Sequence, residues 1–209
     1  MNVPSLLKSH ATRTLAIAAV VLVVLSACSG LGGEATLAGY ERSPEPSVAD
    51  ITLPAANRDT DAFAFQAPAG ELLLVNFGYT TCPDICPTTL ADTRQAFTSL
   101  GERADQVNMA FVSIDPELDD ETTLTNYVEA FLENGIALRT DNDDDLKDAA
   151  NAFGVSYQIG FTDEGDREVG HTANVFVVDE AGSVVLTWPF GVPATDMTND
   201  LNILLDRMP

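Results

Sequence analysis

The sequence predicts an α/β domain, a sheet covered by helices on both faces, preceded by an N-terminal extension. Three observations carry this. Short apolar, strand-like runs alternate with amphipathic helical stretches from about Ile51 to the C-terminus. One run, Leu72-Leu73-Leu74-Val75-Asn76-Phe77, is nearly continuous in apolar residues, the pattern of a strand buried on both faces. The final third holds two strand-like runs joined by Glu180-Ala181-Gly182, a hairpin signal, followed by a closing helix.

The elements follow in order. Residues 1–14 hold Lys8, His10 and Arg13 and no acid, and Leu15 to Leu25 is an unbroken apolar run of eleven. This run falls short of the roughly 20 residues that span a bilayer as a helix. With Leu25-Ser26-Ala27-Cys28 behind it, the segment reads as an export signal ending in small residues. The tetrad resembles a bacterial lipobox. That resemblance implies cleavage before Cys28, lipidation of its sulfur, and a protein anchored by lipid on the extracytoplasmic face of the cell membrane. Residues 28–50, with Gly30, Gly32, Gly33 and Ser43-Pro44-Glu45-Pro46-Ser47, are expected to be a flexible tether, and 51–209 the folded domain.

Within that domain Ala62–Gln66 is a short candidate strand and Glu71–Tyr79 the central one. A helix is expected from Pro87 to Leu100, with Pro at its first position and Gly101 just past its end. Val107–Asp115 is the next strand. Glu121–Glu133 places Leu124, Tyr127, Val128, Phe131 and Leu132 on one side of a helix, stopped by Gly135. Ile136–Arg139 reads as a strand. Asp143–Phe153 reads as a helix whose acidic first turn suits the helix dipole. Ile159–Gly170 is expected as an exposed acidic loop or hairpin close to His171. Ala173–Asp179 and Ser183–Trp188 form the hairpin, and Asp196–Arg207 the last helix.

Charge narrows the partners. The 209 residues are 45% hydrophobic, enough for a core without a disulfide framework, and the formal net charge is −22. All 32 acidic residues lie after Cys28. Such a surface repels nucleic-acid phosphates and anionic headgroups alike, so no nucleic-acid partner is expected, and membrane association falls to the anchor on Cys28.

The chemistry is in three residues. Cys82 and Cys86, in Thr81-Cys82-Pro83-Asp84-Ile85-Cys86-Pro87, lie between the central strand and its helix. Cys86, just before Pro87, is expected at the helix N-cap, where the dipole favours the thiolate that binds metal or attacks a disulfide. The chain order resembles a thioredoxin fold. Thioredoxin-like oxidoreductases carry two residues between their cysteines; this chain carries three, a wider loop with room for a metal and a further ligand. Outside the leader the sole histidine is His171, directly before the buried strand Ala173–Asp179. In thioredoxins a cis-proline followed by Thr stands at a similar place, beside the cysteines. His171-Thr172 there would face Cys82 and Cys86. Two thiolates and one imidazole form a soft, shallow, three-coordinate set suited to a single Cu(I), or to Cu(II) with a weak fourth donor. Structural zinc takes four ligands and iron–sulfur clusters usually four cysteines.

The stretch Asn76-Phe77-Gly78-Tyr79-Thr80-Thr81-Cys82-Pro83-Asp84-Ile85-Cys86-Pro87 resembles the signature of the Sco/SenC family. Asp115-Pro116 with its acidic turn and Thr122 resembles the family's second block, and His171-Thr172 with Asp179-Glu180-Ala181-Gly182 its third. The resemblance runs from about Phe63 to the C-terminus. It implies a thioredoxin fold and copper on Cys82, Cys86 and His171. It implies a metallochaperone rather than an enzyme, one that matures the binuclear copper centre of cytochrome c oxidase. The partner would be the oxidase's copper-bearing subunit or another copper carrier. One departure stands out: the second block usually has a basic residue after its proline, and Glu117-Leu118 stands here, which puts a local salt bridge in doubt. Asp115, at a strand's C-terminal end, is a candidate for supporting the ligands, with a helix-capping or turn role an equal alternative.

Other readings are weaker. A thiol-disulfide reductase would use Cys82 and Cys86 without needing His171. A peroxiredoxin-type peroxidase needs a proline upstream of its cysteine that this chain lacks. A calcium loop from Asp141 would need Gly at 146 and Glu at 152, where Leu146 and Ala152 stand. Met109 and Met197 fit core or helix-face positions better than copper ligation.

Overall fold

A computed structural model describes residues 36–208; the signal segment and Cys28 lie outside the described residues. The strands are β1 (Thr52–Ala55), β2 (Thr60–Ala64), β3 (Leu72–Gly78), β4 (Val107–Ser113), β5 (Ile136–Leu138), β6 (Tyr157–Phe161), β7 (Arg167–His171), β8 (Asn174–Val178) and β9 (Val184–Pro189). The helices are α1 (Ile85–Leu100), α2 (Glu121–Phe131), α3 (Asp143–Phe153) and α4 (Ala194–Arg207), with a 3₁₀ turn at Gly101–Gln106. Seven strands form one mixed sheet in the order β2-β1-β5-β4-β3-β8-β9; β6 and β7 pair only with each other. β3, β4 and β5 run parallel, while β8 lies antiparallel to β3.

Side-chain alternation along β3 divides the core. Leu72 and Leu74 face one layer, with Leu90, Leu124, Val128, Trp188 and Leu201. Leu73, Val75 and Phe77 face the other, with Phe65, Phe153 and Phe176. The aromatic rings of that second layer meet edge-on, Phe65 to Phe153 at 5.1 Å and Phe77 to Phe153 at 5.4 Å. Every residue of β3 is buried, as its apolar run predicts.

The helix ends show which local signals decide. Asp120 caps α2 by accepting from the Thr123 N–H at 2.7 Å. Asn142 caps α3, whose first turn holds Asp143, Asp144 and Asp145 and whose C-terminus closes on Gly154 at φ 75°. The acidic run that imitates a calcium loop is therefore a helix start.

The folded unit begins earlier than the sequence predicts. The described residues from Leu37 onward form one compact unit. Tyr40 bridges to Thr187 and Ser47 to Ser183, and Val48 is fully buried. The Ala38 and Gly39 N–H groups donate to the buried Asp200 carboxylate, which also accepts from the Trp188 indole at 2.8 Å. From Leu37 onward the expected tether is thus a strap on the domain. β1 was hidden by its brevity and by Pro54 within it. Among the described residues no helix is long and apolar enough to cross a membrane.

Candidate metal and thiol site

The site is built where β3 ends and α1 begins. α1 starts at Ile85, two residues before Pro87, so Cys86 lies inside the first turn rather than at the N-cap. Asp84 is the N-cap residue, and its side chain makes no capping bond. The cap acceptor is a sulfur instead: the Cys86 backbone N–H donates to Cys82 Sγ at 3.3 Å. The first N–H groups of any helix lack partners within it, and here one of them goes to a thiol. Pro87 is tolerated because a first-turn N–H is not needed by the helix.

That arrangement gives the two cysteines opposite characters. Burial works against a charge on Cys82, but hydrogen bonds from the Cys86 N–H, the Cys86 thiol, the Asp84 N–H and the Tyr79 hydroxyl outweigh it, and the Cys82 pKa falls below that of a free thiol. Burial pushes the Cys86 thiol strongly up, and the neighbouring Cys82 adds to the shift. The thiolate-favouring position expected for Cys86 is therefore that of Cys82. Neither sulfur sits in a shallow surface site: Cys82 is 8% exposed and Cys86 1%. Both are free thiols. Gly78 makes room for this packing, since a Cβ there would lie 2.8 Å from Cys86 Sγ and 2.7 Å from the Phe111 ring.

His171 closes β7. Its Nε2 is 4.0 Å from Cys86 Sγ, and its ring meets Tyr79 edge-on at 5.9 Å. Burial lowers its pKa, with the Phe77 backbone carbonyl acting as a hydrogen-bond acceptor in the opposite sense. Sulfur and nitrogen donors on one first-row metal, at bond lengths near 2.3 and 2.0 Å, stand about 3.5–4.0 Å apart. The Cys86–His171 spacing fits that range. Among the described residues no three His, Cys, Asp or Glu side chains form a preformed cage for a metal ion. Cys86 is near both Cys82 and His171.

Two buried carboxylates lie beside the site. Asp119, which sequence reasoning passed over as part of an acidic turn, is fully buried. It accepts from the Thr80 N–H at 3.1 Å, from the Thr80 hydroxyl, and from the Ser113 hydroxyl at 2.6 Å. It thereby ties the start of the cysteine loop to the end of β4. Burial raises its pKa despite these bonds. Asp115 is also fully buried and pairs with Arg167 of β7, whose Nε donates at 2.9 Å and whose Nη2 bonds the other oxygen. Arg167 Nη2 reaches Glu117 as well, at 3.0 Å. The cation missing from the chain around Pro116 comes from β7. Tyr79, also unforeseen, has its hydroxyl pKa pushed up to about 12, by burial first and then by Cys82. Met109 and Met197 are buried in the core. A cleft of about 480 Å³, lined by Tyr79, Thr81, Pro83, Leu118, Arg167 and Val169, opens beside the cysteine loop.

A mixed sheet flanked by helices, two thiols at a strand-to-helix turn and an imidazole against them define a thioredoxin-like domain with a dithiol–histidine centre. The chain belongs to the SCO1/SenC family, whose model matches residues 52–206. The solution structure of apo Sco1 from Thermus thermophilus is similar, with a TM-score of 0.69 and 31% identity, covering 83% of this chain and 99% of that one. Copper-bound ScoI of Bradyrhizobium japonicum gives 0.63 and 28%, covering 76% and 97%. The human mitochondrial protein SCO1 homolog is 33% identical over 116 residues, 54% of this chain and 38% of that protein. A SCO2-like protein of Rickettsia typhi is 28% identical over 130 residues, 61% of this chain and 64% of that protein. The chain spans less than two thirds of the length of these two curated relatives.

Proposed function

We infer that this protein is a copper carrier that takes part in assembling cytochrome c oxidase. It binds one copper ion through Cys82, Cys86 and His171, and passes it toward the oxidase's binuclear copper centre, directly or through another carrier. The observation that carries this reading is the 4.0 Å approach of His171 Nε2 to Cys86 Sγ, in a chain with no other histidine beyond the leader. The donor set is soft, which favours Cu(I), and the relative in Bradyrhizobium japonicum is a copper-bound ScoI. The copper is cargo, so the site must release it as well as hold it. Export and lipidation at Cys28 would keep the domain on the extracytoplasmic face.

A second reading has its own support. A lowered Cys82 thiol beside a raised Cys86 thiol is the pairing of an attacking and a resolving cysteine, so the dithiol is equipped to reduce a partner's disulfide. The two readings divide at His171. The test is titration of the reduced full-length protein with Cu(I) and Cu(II), beside Cys82→Ser, Cys86→Ser and His171→Ala. One equivalent in the wild type, with loss of Cu(II) in each variant, is the expected result. Unchanged Cu(II) binding in His171→Ala, with disulfide reduction intact, would move the function to the reductase.

A further inference from the structure

The hairpin that carries His171 is poorly attached. β6 and β7 form a separate two-stranded sheet, and none of their described residues is fully buried. Backbone bonding ties its base, where the Thr172 N–H donates to the Ser156 carbonyl at 2.8 Å, but no ladder joins it to the main sheet. Yet His171 must be held to within a fraction of an ångström to serve as a ligand.

β7 solves this along one face. Arg167, Val169 and His171 alternate with Glu168 and Gly170, and only the latter two are exposed. The three inward residues make three different attachments to the body. His171 meets Cys86 and Tyr79. The Val169 carbonyl lies 3.5 Å from the Tyr79 hydroxyl, a weak contact. Arg167 makes the strong one: a fork of two charge-assisted bonds to Asp115, whose side chain is 1% exposed. Among the described residues no other side chain donates to that carboxylate, so its charge is compensated by Arg167 alone. Such a buried carboxylate holds its cation firmly, because separating them would leave a charge without solvent or partner. The Arg167 guanidinium also lies over the exposed Phe161 ring of β6, 5.8 Å from its centre, which binds the hairpin's other strand to the same anchor.

We propose that Arg167 is a positioning residue for the metal site: its fork on Asp115 fixes the register of β7 and so sets His171 against the two cysteines. This inference rests on the copper-carrier reading. It also gives Asp115 a definite part, as the fixed post to which the hairpin is tied. The arginine touches neither copper nor sulfur. It acts through the three intervening residues of extended strand, so its effect falls on the histidine contribution and not on the thiolates.

The experiment compares full-length wild type with Arg167→Ala, Arg167→Lys, Asp115→Asn and His171→Ala. In the copper-free protein, amide exchange at residues 157–171 rises in Arg167→Ala and Asp115→Asn while α1, β3 and β4 keep wild-type protection. In Cu(II) titrations both variants lose roughly 10–100-fold in affinity, the range for losing a residue that orients a ligand. Their electron paramagnetic resonance spectra show weakened nitrogen coupling, and Cu(I) affinity falls less than Cu(II) affinity. Arg167→Lys, which keeps the charge without the fork, lies between. Wild-type Cu(II) affinity and spectrum in both variants would overturn the proposal. So would equal loss of both ions with exchange raised throughout the domain, the result of a general stability role. Failure of the copper reading itself appears separately, as His171→Ala binding Cu(II) like the wild type.

Discussion

Cys82 and Cys86 stand four positions apart in the chain and carry opposite electrostatics, because one accepts the helix's N–H groups and the other is sealed beneath them. Iodoacetamide at neutral pH is therefore expected to alkylate Cys82 first. Cys82→Ser should slow the initial rate more than Cys86→Ser does, as measured by mass spectrometry of quenched samples. His171 adds a pH dependence. Its pKa is lowered in the folded state by burial, relative to about 6.5 when unfolded. As pH falls from near 6.5 toward the lower folded value, the unfolded chain takes up the proton first, so stability drops across that window. Denaturant titrations of copper-free protein from pH 7.5 to 5 should show this slope, and His171→Asn should flatten it. The sequence disclosed these residue types and their spacing. It misplaced the thiolate-favouring position, because the start of α1 is set by where the chain can turn and not by Pro87. Nothing in the one-dimensional pattern says that a cysteine side chain will cap a helix.

The elements around the site are fastened by buried carboxylates. Asp119 joins the cysteine loop to β4 through Thr80 and Ser113. Asp119→Ala leaves those donors unpaired in a buried place and is expected to cost about 1–3 kcal/mol in chemical denaturation. It should also raise amide exchange at residues 79–86 ahead of the rest of the domain. Alternating strands and helices were legible because their periods differ, and α3 fell on Asp143–Phe153 as predicted. Asp119 was not legible. An acid in an acidic turn looks solvated, and only the fold buries it. The source of the cation for Asp115 was equally hidden, since Arg167 is remote in sequence and reaches β4 only once the hairpin has folded back.

At the scale of the whole molecule, one strap completes the layer behind the sheet. Asp200 on α4 gathers the Trp188 indole and the Ala38 and Gly39 N–H groups, so this part of the strap is locked to the core. Gly39 is needed there, because a Cβ would lie 2.7 Å from Leu186 and 2.8 Å from Trp188. Asp200→Ala should lower stability by about 1–3 kcal/mol and open residues 37–48 to proteolysis without changing copper stoichiometry. The sequence's glycines and prolines suggested a flexible linker through this region. The strap's order comes from long-range partners, which composition does not report.

The central claim is that two sulfurs and one imidazole grip the same ion. The most direct measurement is copper-edge X-ray absorption on the copper-loaded full-length protein, with His171→Ala beside it. The account predicts two sulfur scatterers and one histidine nitrogen, and loss of that nitrogen in the variant. A wild-type spectrum with sulfur alone, or an unchanged histidine signal in His171→Ala, would contradict it.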